Sequence, residues 1–177
     1  MKNEITQTLT GGLGPQGLRR ELQESDAENM RRRRAIIGLS LLGMGAMAAV
    51  SLFQTGIIKH LPDPPLDSFD SDEVNSSDTA YGMGVPDGTM SLASLAANLP
   101  LAAFGGASRA SERPIVPLIA AGKALVEAGV AGWYFYQMAA VEKKWCGYCI
   151  TGALANFGIA ALTLPEAAEA FRNLKAQ

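Results

Sequence analysis

Cys146 and Cys149 stand in the stretch Trp145-Cys146-Gly147-Tyr148-Cys149-Ile150 and are the only cysteines of the 177-residue chain. Two thiols at i and i+3 on a first helical turn share one face and can bridge after a small adjustment. The unpaired amides of such a turn favour a thiolate, and so do the ammonium groups of Lys143 and Lys144 just before it. A thiol activated in this way suits thiol–disulfide exchange. Haem attachment is disfavoured, because Ile150 stands where a histidine should follow. A zinc site lacks a second ligand pair, and no metal site is expected. The competing reading is a Cys-x-x-Cys that is buried and has no redox function.

The residues after the pair are small and apolar, so residues 145–164 are predicted to be a membrane helix that opens on the dithiol. Three more such helices precede it. Residues 35–58 carry no charge, a length that crosses the hydrocarbon with some tilt. Gly38, Gly43 and Gly45 there give smooth faces for close helix approach. Residues 89–106 form a shorter, weaker segment with Asn98 and Pro100 near its middle, tolerable where a bundle satisfies the freed carbonyl. Residues 115–138 end in Trp133, Tyr134, Phe135 and Tyr136, an aromatic group suited to a membrane interface. Lys123 and Glu127 lie near the centre of that helix, one turn apart, and should pair or face the bundle interior. A structural role for them is preferred to a proton or quinone role.

The fold class expected is all-α, an integral membrane four-helix bundle with a polar extracytoplasmic loop between helices one and two. Arg31–Arg34, Arg109, Arg113, Arg172 and Lys175 would all fall on one side, which the positive-inside rule makes the cytoplasm. Both termini are then cytoplasmic: residues 1–34 an extension, partly helical, residues 35–165 the membrane domain, and residues 166–177 a tail. Ser25 and Glu28 have capping-box spacing and are predicted to start a helix that runs into the first span. Gly11, Gly12 and Gly14 precede Pro15 in a patch that reads as flexible; with no strand before it, it is not a phosphate loop. Residues 59–88 hold seven acids and four prolines, read as solvated and extracytoplasmic rather than metal-binding, with His60 interfacial. No cleaved signal peptide is expected, since the apolar run comes too late and is too long. A net charge of −2 argues against nucleic acid as a partner.

At this stage the residues resemble the vitamin K epoxide reductase family. Trp145-Cys146-Gly147-Tyr148-Cys149 opens the fourth helix of a four-helix membrane bundle, as in that family. The loop segment Ser77-Asp78-Thr79-Ala80-Tyr81-Gly82-Met83-Gly84-Val85-Pro86 is similar to the family's serine and Gly-Ile/Val-Pro leading into helix two. The resemblance implies a bundle around a quinone of the menaquinone, ubiquinone or vitamin K type, in a membrane such as the bacterial inner membrane. It implies that Cys149 faces the quinone, that Cys146 exchanges electrons with an external dithiol, and that Ser77 lies near the quinone. The external dithiol would be a separate thioredoxin-like protein, as no such domain is fused here.

One departure stands out. Family members usually carry two further loop cysteines that shuttle electrons to the helix-four pair, and here Ser71 occupies the place of the second. A hydroxyl cannot relay disulfides. A partner reaches Cys146 directly, or it supplies the missing cysteines, or this branch has lost the pathway. The expected function is a membrane thiol–quinone oxidoreductase; the alternative is a non-catalytic subunit or assembly factor that keeps the fold.

Overall fold

The computed structural model describes residues 13–176. Helices follow in the order α1 (Pro15–Glu24), α2 (Glu28–Gln54), α3 (Ser71–Asn75), α4 (Asp78–Tyr81), α5 (Asp87–Ala103), α6 (Arg109–Glu112), α7 (Ile115–Gln137) and α8 (Gly147–Lys175), with a π-helical turn at Met138–Glu142. Among the described residues there is no strand, only an isolated bridge between Phe69 and Trp145. Among the described residues, three helices are long and apolar enough to cross a membrane: α2, α7 with its π turn, and α8. Helix α5, with 17 residues, is about 26 Å long, short of a full span. Leu41, Leu42, Ile119, Val126, Trp133 and Leu154 point outward and are exposed, an arrangement that suits a hydrocarbon solvent rather than water.

Helix α2 packs on both α5 and α8, and α8 also packs on α7, whereas α5 and α7 approach each other closely at few backbone positions. Close approach is set at Gly43, where a Cβ would come 3.0 Å from Leu95 and 3.1 Å from Ala155. That glycine lies where α2, α5 and α8 meet; the Cβ positions of Gly38 and Gly45 face open space. Ile36, Met47, Val50, Leu95 and Ile159 fill the core of this three-helix contact. The loose α5–α7 pairing leaves the space described below.

The ends of the elements differ from expectation in three places. No capping box forms: the Ser25 amide closes α1 by donating to the Glu21 carbonyl, and the Ser25 hydroxyl accepts from the Ala27 amide at 3.3 Å. Helix α2 therefore begins at Glu28 without a side-chain cap. Helix α8 does not stop before Pro165 but continues through it to Lys175, so most of the predicted tail is helix. Gly14 and Pro15 start α1 rather than a flexible segment, with the proline at its first position; Gly11 and Gly12 lie outside the described residues.

The end of the bundle away from the cysteines is bolted by charge. Arg33 and Arg109, 1 % and 2 % exposed, grip Glu166, itself 4 % exposed. Arg109 Nη2 donates to Glu166 at 2.7 Å, and Arg33 bonds it through Nε at 3.1 Å and through Nη2. Arg109 Nε also donates to Glu166, at 2.8 Å, and the other guanidinium donors go to carbonyls of Gly105, Gly106, Leu101 and Phe104. One of the four arginines predicted as a positive anchor is thus a core residue. Arg34 instead donates to the carbonyls of Leu22 and Ser25, holding α1 in place.

Lys123 and Glu127 do pair. The ammonium donates to Glu127 at 2.5 Å, to the Ser94 carbonyl at 2.8 Å and to Asn98 Oδ1 at 2.8 Å. The Ser94 hydroxyl donates to the same carboxylate. Charges placed in a span are tolerable when paired in this way.

Candidate active site

The site lies at the opposite end, where α8 begins. After the π turn, Lys143 takes a left-handed conformation with φ 55°, and the chain turns back towards the loop of residues 59–86. Two backbone bonds tie it there, Trp145 N–H to Ser68 O at 2.9 Å and Asp70 N–H to Trp145 O at 3.1 Å. The Lys144 ammonium donates to the Asp67 carbonyl, and the Tyr148 hydroxyl to the Pro62 carbonyl. The loop is itself braced by its acids. Asp63 accepts from both the amide and the hydroxyl of Ser71 at 2.6 Å, and Asp72 accepts from the Leu61 amide at 2.8 Å. His60 lies 2.5 Å from Asp72, whose hydrogen bond and charge raise its pKa. Acids expected to be merely solvated are in part the loop's internal clamps.

Cys146 is the N-cap of α8, and its sulfur takes the capping bond from the Cys149 amide at 3.1 Å. It is fully buried, with 0 % exposure, packed beside Val74 and Met138. This corrects the expectation of an accessible Cys146: the loop covers it. Cys149 is half-buried, and both residues are free thiols. Asn75 joins them, donating through Nδ2 to Cys146 Sγ at 3.2 Å and accepting through Oδ1 from Cys149 Sγ at 3.5 Å.

These contacts set the chemistry of Cys146, which lies one residue outside the α8 span. Its pKa is lowered to about 7, first by hydrogen bonding with the Cys149 side chain. The Ser71 side chain, the Cys149 amide and the Asn75 side chain lower it further, against the opposing effect of burial. The Lys144 ammonium, expected to help, donates to the Asp67 carbonyl.

Thiolate absorbance in the reduced protein should therefore rise with pH through a midpoint near 7. Asn75→Ala should move that midpoint upward, because a donor to the thiolate is lost. A midpoint unchanged in that variant would remove Asn75 from the account.

Cys149 opens on a cavity of about 300 Å³ between α2, α5, α7, α8 and the loop, the lower end of the size range of small-molecule sites. Its lining is mostly apolar, with Met47, Val50, Ala131 and Phe135 among the walls, and it includes polar groups such as Ser77 and Asn156. Ser77 lines the same cavity as Cys149, with its hydroxyl donating to the Val74 carbonyl at 2.9 Å. Cys146 does not line it. The two thiols consequently face different surroundings, one the cavity and the other the underside of the loop.

The family model described as the vitamin K epoxide reductase family matches residues 34–164, well over half of the chain. The chain belongs to this family. No curated protein matches it. Vitamin K epoxide reductase family proteins are in general oxidoreductases of membranes and in general use quinones. Ser71, which the resemblance puts at the place of a loop cysteine, is bonded to Asp63 and close enough to Cys146 to affect its ionisation.

Sequence reading missed Asn75, Asp63 and Asn156. Nothing in the spacing of Asn75 or Asp63 marks them, as their roles depend on how the loop folds back. Asn156 had a signal, since it lies seven residues after Cys149 and so on the same helical face.

Proposed function

We propose that the protein is a membrane thiol–quinone oxidoreductase in which the Cys146/Cys149 pair passes electrons from an external dithiol to a quinone. The observation that carries this reading is the division of labour between the thiols. Cys149 faces an apolar cavity of ring-ligand size, and the buried Cys146 behind it has a lowered pKa.

A thiolate of the donor attacks the Cys146 sulfur of the oxidised pair and expels Cys149, and the donor's second thiol resolves the mixed disulfide. The donor leaves as a disulfide and the pair as a dithiol. When the dithiol closes again, two electrons and two protons pass to the quinone, and a hydroquinone leaves. Asn75 bonds both sulfurs and holds them in register during the exchange. The donor is a separate thioredoxin-like protein or another dithiol, and it gains Cys146 only when the loop lifts from Trp145. Reduced protein mixed with an excess of quinone should form one equivalent of hydroquinone per chain, read by its absorbance. No hydroquinone from any of several quinones would contradict the reading.

In the proposed orientation the loop and the dithiol are extracytoplasmic and both termini cytoplasmic. The arginine-rich ends of α2, α6 and α8 meet at the far end of the bundle through the Arg33–Glu166–Arg109 cluster, which supports it. A single cysteine at position 67, in a chain with Cys146 and Cys149 replaced by serine, should react with an impermeant reagent from outside. Labelling only from the cytoplasmic side would reverse the topology.

A further inference from the structure

A residue in the cavity wall carries a polar atom with nothing to bond. Among the described residues, Asn156 Oδ1 is buried without a hydrogen-bond donor, and Asn156 lines the same cavity as Cys149. A buried acceptor left unpaired costs about 1–3 kcal/mol, so a structure that keeps one in the wall of a ligand-sized cavity can gain by turning the amide to a ligand's polar group. The rest of the α8 face towards the cavity, Gly152 and Ala153, offers no side-chain hydrogen bond.

Position along the helix sets the size of that ligand. Seven residues separate Cys149 from Asn156, a rise of about 10.5 Å with a return to nearly the same face. Both side chains lean towards the helix N-terminus, so the rise is roughly kept between sulfur and amide. A reacting atom stands about 3.5 Å from the thiol, and a hydrogen bond to the amide takes about 2.9 Å. About 4 Å is left, the distance from a reacting ring carbon to an oxygen on the far side of one six-membered ring.

We infer that Asn156 is the residue that recognises the ring oxygen of the cavity's ligand, holding a quinone or hydroquinone ring with its reacting edge at Cys149. This rests on the function proposed above and adds the contact that selects the ligand. An amide serves both redox forms: the unpaired Oδ1 accepts from a hydroquinone hydroxyl, and after a turn about its last bond Nδ2 donates to the carbonyl oxygen of the quinone. Apolar walls alone would take a hydrocarbon ring equally well.

The test is titration of the full-length protein in detergent micelles with 1,4-naphthoquinone, read by quenching of tryptophan fluorescence, with naphthalene as the ring lacking oxygens. Naphthalene binding is read by its displacement of a bound apolar fluorophore. Asn156→Ala should raise the naphthoquinone Kd about tenfold, the scale of one hydrogen bond, and leave naphthalene unchanged. Asn156→Leu, which keeps the volume of the side chain, should give the same rise and separates a lost contact from a collapsed wall. Unchanged naphthoquinone affinity in both variants, with wild type binding, would overturn the role of Asn156 alone. Wild type that neither binds naphthoquinone nor forms the Cys146–Cys149 disulfide with it would overturn this inference together with the function beneath it.

Discussion

Cys149→Ala should abolish quinone-dependent oxidation of an added dithiol, with a fall of more than about a thousandfold, as expected when the reacting nucleophile is removed. The variant should otherwise fold normally. The capping bond that starts α8 runs from the backbone amide at position 149 to Cys146 Sγ, and alanine keeps that amide. What disappears is the thiol that lines the cavity and bonds Asn75. Cys146→Ser separates the roles further. Its hydroxyl preserves the cap and Cys149 still faces the cavity, but no intramolecular disulfide can close, so turnover should stop as well. Turnover that survives Cys149→Ala, measured as hydroquinone formed with a dithiol in excess, would remove Cys149 from the reaction.

The second large effect is on stability. Glu166→Ala should destabilise the bundle by about 3–5 kcal/mol, the range found when one partner of a buried ion pair is deleted. Two guanidiniums at 1 % and 2 % exposure would be left facing each other with only backbone carbonyls as partners. Repulsion between them adds to the cost, and the bonds from Arg33 to Gly105 and Gly106 would be the first to yield. Glu166→Gln should cost less, because it keeps the volume and one acceptor. Denaturant unfolding in detergent, followed by helical signal, measures both. A loss below about 1 kcal/mol for the alanine variant would show that the cluster behaves as an exposed pair does.

The parts of this molecule legible in its sequence are those governed by local spacing. The dithiol at a helix start, the uncharged run that becomes α2 and the Lys123–Glu127 pair follow from residues within a turn or a span of one another. The failures have long-range causes. Helix α8 passes Pro165 where a stop was expected, and Glu166 is held directly after it by Arg33, 133 residues away. Ser25 and Glu28 have the right spacing for a cap, yet the Ser25 amide ends the previous helix and its hydroxyl turns to Ala27. Nothing in the spacing of Cys146 tells of its burial. It is buried because Ser68, Asp70 and Asp67, more than seventy residues earlier, bond the chain on either side of the turn. The cavity was not legible at all, since it comes from the loose pairing of α5 with α7; only the likeness to a quinone-binding family suggested one.

The measurement that bears most directly on the central claim is the redox state of Cys146 and Cys149 in reduced, purified protein before and after addition of a quinone. Acid quenching, denaturation and alkylation count the free thiols by mass, so burial of Cys146 does not hide it. Rapid, quinone-dependent loss of both thiols together, with Cys149→Ala losing none, is the predicted result. A pair that stays reduced through a series of quinones would contradict the account and favour a non-catalytic subunit that has kept the family's fold without its chemistry.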